Sequence, residues 1–290
     1  MPEADAAPAL ACLNCGAPLG GPYCAQCGQR HRDGEDRTIR SLALEAFNAL
    51  TSFDSRMWRT FVALLLRPGR LTLDHVEGRR ASYLGPVTVF LLASVVFYLL
   101  APMQANFYSD AGVSSRVAFM EDDPSAPDWV EARVRGTGKT RAEFAAEYDR
   151  RAPEIKKALT ILFAPAIALP LALLFRRRRP LFADHVVFAF HLSATMMVLT
   201  GLLAGLAGAL TSARPESLGA LAPHFETVFK LLLSGSLGLT FVWLAAALRR
   251  VYALRWPHAA PAAVLVGLLL LVATFLFGDL RNVIAIWWLS

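Results

Sequence analysis

Two hydrophobic patterns divide the chain. From Ile39 onward apolar residues recur three and four positions apart (Ile39, Leu42, Ala46, Leu50, Phe53, Met57, Phe61, Leu64). That spacing puts them on one face of a helix. Thr38 suits a helix N-cap, Asp54 can cap a second segment, and Arg67-Pro68-Gly69 ends it. Arg40, Arg56, Arg59, Arg67 and Arg70 supply the polar side. The stripe predicts a basic helix pair, lying on a membrane surface or packed on the cytosolic ends of spans.

Beyond Tyr83 the periodicity gives way to five continuous apolar runs: Leu84–Ala101, Ala158–Phe175, Leu181–Leu210, Leu231–Leu248 and Ala262–Phe277. A bilayer is crossed by roughly 20 apolar residues, so the third run must tilt or project. Pro165 and Pro170 interrupt the second, which fits a span or a re-entrant helix. Gly85-Pro86 opens the first, with proline in the first helical turn. Gly201-x3-Gly205 and Ser234-x3-Gly238 are small-residue faces suited to close helix packing. The expected fold is an all-α polytopic membrane protein with about five transmembrane helices.

Composition strengthens this reading. Of the 290 residues 55% are hydrophobic and only 18% charged, against about 25% charged in a typical soluble domain. Mean hydropathy is +0.43. Residues 158–290 hold ten Lys/Arg and four Asp/Glu. An ordinary soluble enzyme and a disordered chain are both excluded. The net charge of +6 reflects arginines beside spans, so nucleic acid is not the expected partner; the lipid bilayer is.

The same arginines orient the chain. Arg67, Arg70, Arg79 and Arg80 precede the first run, Arg176–Arg179 separate the second from the third, and Arg249, Arg250 and Arg255 the fourth from the fifth. Arg214, Lys230 and Arg281 fall on the other side. The charge rule then gives a cytosolic N-terminus and an external C-terminus in a bacterial inner membrane. The loop 102–157 would be external although it carries nine Lys/Arg, offset by ten Asp/Glu. Met1–Ala11 has neither a basic region nor an apolar core, so no cleavable signal peptide is expected there.

All four cysteines lie within Cys12–Cys27, which argues for a reducing compartment and against a disulfide scaffold. Cys12-x2-Cys15 and Cys24-x2-Cys27 are each followed by glycine, Gly16 and Gly28. Two such knuckles offer four sulfurs to a closed, structural Zn²⁺ site, with a hairpin expected around Gly20-Gly21-Pro22. Folding and metal binding should then be one event. An iron–sulfur centre or a redox dithiol pair uses the same residues, and His31 could replace one cysteine. The expected organisation is a disordered 1–11, a zinc ribbon and linker over 12–37, cytosolic or interfacial helices over 38–83, and a transmembrane domain over 84–290.

Other chemistry is sparse. Arg135-Gly136-Thr137-Gly138-Lys139-Thr140 imitates the end of a phosphate-binding loop, but Arg133 stands where the first glycine belongs. Asp184, His185 and His191 sit in or near the third run, where ionisable groups are costly. Asp184 and His191 share a helical face, with His185 turned away. They are candidate cofactor-binding residues, against the plainer reading of a helix cap and an interhelical hydrogen bond. No catalytic residues are identified.

The arrangement resembles a bacterial membrane protein family catalogued as domain of unknown function 3667. The resemblance rests on Cys12–Gly16, Tyr23–Gln29, Arg67-Pro68-Gly69 and the stretch Glu77–Pro86. Asp184–His191 and Leu248-Arg249-Arg250-Val251-Tyr252 also match. Members often carry a histidine two residues after the position of His191; here it is Ser193. The resemblance implies a zinc-ribbon membrane protein and no established activity. The expected role is a non-enzymatic scaffold or regulator whose cytosolic ribbon and basic helices recruit a protein partner. The competing role is a transporter or a metal- or haem-handling protein using Asp184 and His191.

Overall fold

A computed structural model describes residues 11–30, 55–100, 128–212 and 225–290. The expected disordered N-terminus, His31, Thr38, Asp54, the stripe from Ile39 to Phe53, and residues 101–127 of the long loop lie outside them. Among the described residues the protein is helical, with no strands.

The latter half of the stripe forms helix α1 (Ser55–Leu66), which the Arg67–Gly69 turn joins to α2 (Arg70–Val76). Gly69 has φ 72°, and a Cβ there would lie 2.9 Å from the Ala247 carbonyl. Glycine is therefore needed for both conformation and contact. Around this turn the Trp243 indole N–H is shared by the carbonyls of Leu64 and Leu65 at 3.2 and 3.0 Å, and Arg250 donates to the Pro68 carbonyl at 2.7 Å. The first member of the expected helix pair lies outside the described residues; the second, α1, and the short α2 after it pack against the arginine-rich ends of the long helices. Trp58 and Leu66 remain on the outer face of α1.

Three helical stretches among the described residues are long and apolar enough to cross a membrane: Arg141–Phe175, Phe182–Leu203 and Trp256–Leu289. The first expected run appears as α3 (Pro86–Leu99), with Pro86 in its first turn. Its 14 residues reach only about 21 Å, less than the roughly 30 Å of a hydrocarbon core. The second run is not a separate element. Helices α4 (Asp128–Gly136) and α5 (Arg141–Leu159) form a hairpin, and α5 continues through a 3-10 turn, Thr160–Leu162, into α6 (Phe163–Phe175). Pro165 then falls in the first turn of α6, where no amide donor is required. The chain completes with α7 (Phe182–Ser212), α8 (Phe225–Val251) and α9 (Trp256–Leu289).

Helix α7 is the hub. It packs chiefly on α3 and α6, and also on α1, α2 and α8. Phe90 of α3 meets Phe190 of α7 edge-on at 5.5 Å. Tyr252, just beyond α8, stacks on Phe175 at 4.1 Å and meets Phe188 edge-on at 5.7 Å. Gly205 lies in ordinary contact with Leu100, at 3.7 Å from a notional Cβ. At Gly238, on the other expected packing face, no atom among the described residues lies within 4 Å of a notional Cβ.

At the other end of the bundle a smaller core forms. Val130, Val134, Phe144, Tyr148 and Ala152 of the α4–α5 hairpin bury against Ala285, Ile286 and Leu289 of α9. The phosphate-loop look-alike is the joint of this hairpin. Gly138 takes φ 71°, Thr140 caps α5 in a reciprocal capping box with Glu143, and Lys139 pairs with Glu147. Its glycine, lysine and threonine are thus accounted for by a turn and a helix start.

Candidate metal centre

The cysteine module contains the same local structure twice. In each knuckle the first cysteine's carbonyl accepts the glycine amide, Gly16 to Cys12 and Gly28 to Cys24, both at 2.8 Å. The amides of Cys12 and Cys24 are returned to the carbonyls of Ala17 and Gln29 at 2.8 and 2.9 Å. Gly16 and Gly28 hold φ of 78° and 70°, a conformation open to glycine at little cost. One antiparallel bridge closes each knuckle, Ala11 with Pro18 and Tyr23 with Arg30. The expected hairpin between the pairs is replaced by two self-closed loops, because every short-range bond is made within its own knuckle.

Closing the loops brings the four sulfurs together. One ligand atom from each of Cys12, Cys15, Cys24 and Cys27 lies within 4.8 Å of all the others. Cys12–Cys27 and Cys15–Cys24 sulfurs are 3.6 Å apart. Sulfurs about 2.3 Å from a tetrahedral metal lie roughly 3.8 Å from one another, so the set fits a four-coordinate ion with little adjustment. Four thiolates without an open position suit a structural Zn²⁺, and iron accepts the same donors. Backbone amides favour the thiolate at Cys12 and Cys24. The Cys27 and Gln26 amides draw the Cys24 thiol down to about 7, and those of Cys15 and Asn14 lower Cys12. The Ala17 amide also favours the Cys15 thiolate, but desolvation and three neighbouring sulfurs outweigh it and push that thiol up to about 12.

The module is docked, which the sequence did not announce. The Gln29 side-chain carbonyl accepts the amides of Arg80 and Ala81 at 2.9 and 3.1 Å, and its NH₂ donates to the Gly78 carbonyl at 2.8 Å. Gly78 has φ 87°, and a Cβ there would stand 2.6 Å from Leu13 Cδ1. Buried Asp74 braces this turn, accepting from Arg70 at 2.8 Å and from Arg79 at 2.9 and 2.7 Å. Asp74 and then Glu77 raise the pKa of Arg79 further above its ordinary value. The only sequence hint was that Gln29 and Gly78 both fall in the quoted motif stretches.

The membrane candidates have other engagements. Asp184 pairs with Arg179 at 3.6 Å. His185 stands 3.0 Å from the Arg179 carbonyl through Nε2 and 2.9 Å from the Tyr252 hydroxyl through Nδ1. A carbonyl can only accept, so Nε2 donates the bond to Arg179. His191 Nδ1 lies 3.0 Å from the Thr72 hydroxyl, tying α2 to α7. It borders a cleft of about 200 Å³, mouth included, with Arg67, Thr72, Phe188 and Trp243. Each of the three residues thus has its own partner. Among the described residues the cysteines are the group of three or more possible ligands that converges.

Fold and site together define a helical protein with membrane-length helices and a tetracysteine module. A family model described as a protein of unknown function, DUF3667, matches residues 54–98, supporting the resemblance noted above. The matched stretch runs from α1 through the module's docking turn to α3. No curated protein and no solved structure matches the chain.

Proposed function

We propose that this is a non-enzymatic inner-membrane scaffold. Its zinc-loaded ribbon and helix pair form one rigid cytosolic face that recruits a protein partner. The Gln29 clamp carries the reading. A ribbon that served only as a tethered metal store would not need three hydrogen bonds and a glycine contact to fix its attitude.

In this reading the arginine-rich end is cytosolic and five segments span, the 14-residue α3 by local thinning of the bilayer. Contacts agree on which parts share an end. Arg179 donates to the Val251 carbonyl and Arg250 to the Pro68 carbonyl, while Arg133 reaches Ser290 at the opposite end. Photo-crosslinking in cells from a reactive residue at exposed Tyr23 tests recruitment. The expected result is a discrete protein adduct that disappears when Cys15→Ser removes the metal. Adducts to lipid alone, or a protein adduct indifferent to Cys15→Ser, would defeat the scaffold reading.

A further inference from the structure

Arg281 sits in α9 just past the apolar run, at the end of the bundle away from the arginine clusters. Its Nη1 donates to the Thr160 hydroxyl at 3.3 Å. That oxygen already donates to the Lys156 carbonyl at 2.9 Å and meets the Tyr98 hydroxyl at 3.0 Å. A neutral, fully used hydroxyl is a poor counterpart for a guanidinium. The Nε of Arg281 is buried and lacks a hydrogen-bond partner. The other face of the guanidinium lies 5.2 Å from the Phe277 ring centre.

A second cation approaches the first. Lys156 stands over the Tyr148 ring at 4.9 Å, and its charge and that of Arg281 repel one another. Asp149 acts on Lys156 only through space, and neighbouring Lys157 is occupied by Glu154 at 2.7 Å. Among the described residues no carboxylate forms an ion pair with Arg281 or Lys156. Partly buried cations without an anion are costly, and an Arg fork is shaped for two oxygens of a phosphate. The level is right for a lipid headgroup. Tyr98, Lys156 and Arg281 lie where three apolar runs end, and exposed Trp287 and Trp288 follow in α9, as aromatic residues do at a membrane interface.

We propose that Arg281 and Lys156 seat the phosphate of an anionic phospholipid in the leaflet opposite the cysteine module. The half-buried Arg281 guanidinium supplies one positive charge to the phosphate and Lys156 the second, and the acyl chains lie along α6 and α9. The site is independent of the scaffold reading and of the metal.

The test counts phospholipid retained by the full chain in native mass spectra as phosphatidylglycerol is titrated into detergent, with inorganic phosphate in a parallel arm. The chain should hold one phosphatidylglycerol with preference over phosphatidylcholine. Arg281→Gln and Lys156→Gln should each weaken that binding about tenfold, whereas Arg176→Gln at the other end leaves it unchanged. Should Arg281→Gln fail to fold, Lys156→Gln alone carries the comparison. Equal retention by Lys156→Gln, or no preference over phosphatidylcholine, would overturn the proposal. So would inorganic phosphate displacing the lipid at comparable concentration, since the seat would then be for a free anion.

Discussion

Gln29 and Gly78, 49 residues apart in sequence, are joined by a 2.8 Å hydrogen bond from the amide side chain of one to the carbonyl of the other. The bond links a module that cannot build its own core to the helical body. Backbone hydrogen bonds shape the knuckles; Gln29 fixes where they sit. Replacing Gln29 by Ala should leave the metal bound but strand the Arg80 and Ala81 amides, each net bond contributing about 1 kcal/mol. Hydrogen–deuterium exchange at these two amides should quicken while metal content stays constant. Unchanged exchange would show that the clamp is not formed.

Gly69→Ala should be more damaging than its size suggests. The residue takes φ 72°, and the new methyl meets the Ala247 carbonyl and Val251. Strain at positive φ and the clash together predict more than about 1 kcal/mol of destabilisation. A thermal scan in detergent would read it as a lowered midpoint relative to Gly85→Ala, where only Thr88 lies near, at 3.9 Å.

His191→Asn should be mild. Asparagine can keep a hydrogen bond to Thr72, and interhelical bonds of this kind average about 0.6 kcal/mol. Expression and detergent stability should barely move, and Thr72→Val should do about the same. Haem absorbance or a second metal equivalent that vanishes in His191→Asn would instead favour the cofactor-handling role.

Acid should empty the centre. Metal binds thiolates, so each thiol must lose its proton. Cys24 is depressed from 9.0 to about 7 in the fold; its contribution is complete above the unfolded value and is lost as pH falls through the folded one. Metal retained after dialysis against a chelator should therefore decrease as pH is lowered. Retention that rose with acid would contradict a thiolate site.

The sequence reading and the structure agree where local chemistry dominates. Paired CxxC-Gly knuckles determine their own geometry, Gly85-Pro86 starts a helix, and arginine clusters collect at one end. They part where distant segments meet. Nothing local to Gln29 reveals that its partner is at Gly78. The periodicity of Ile39–Leu64 is the same whether a helix faces lipid or protein; the Gly69–Ala247 and Thr72–His191 contacts show the packing only of the turn and of α2 beyond it. Asp184 and His191 could be a facing pair or a helix cap and an interhelical hydrogen bond by spacing alone; Arg179, five residues before Asp184, and Thr72 of α2 engage them separately. The joining of α5 to α6 was hidden because the polar–apolar change at Ala158 looks like a loop boundary.

Topology can be read by reporter fusions. Fusions after Arg179 and Arg255 should report cytosol, and fusions at Val130 and after Ser290 the opposite side. Val130 and Ser290 must agree, since α4–α5 buries against the end of α9. A cytosolic signal at Val130 would remove the second span and with it the five-span arrangement.

Metal analysis of the full chain, purified in detergent without added metal, bears most directly on the central claim of a zinc-organised ribbon docked on a membrane protein. The account predicts about one zinc per chain, absent in Cys15→Ser and in Cys24→Ser while both variants still insert in the membrane. Iron with the visible absorbance of an iron–sulfur centre, or no metal at all, would contradict it.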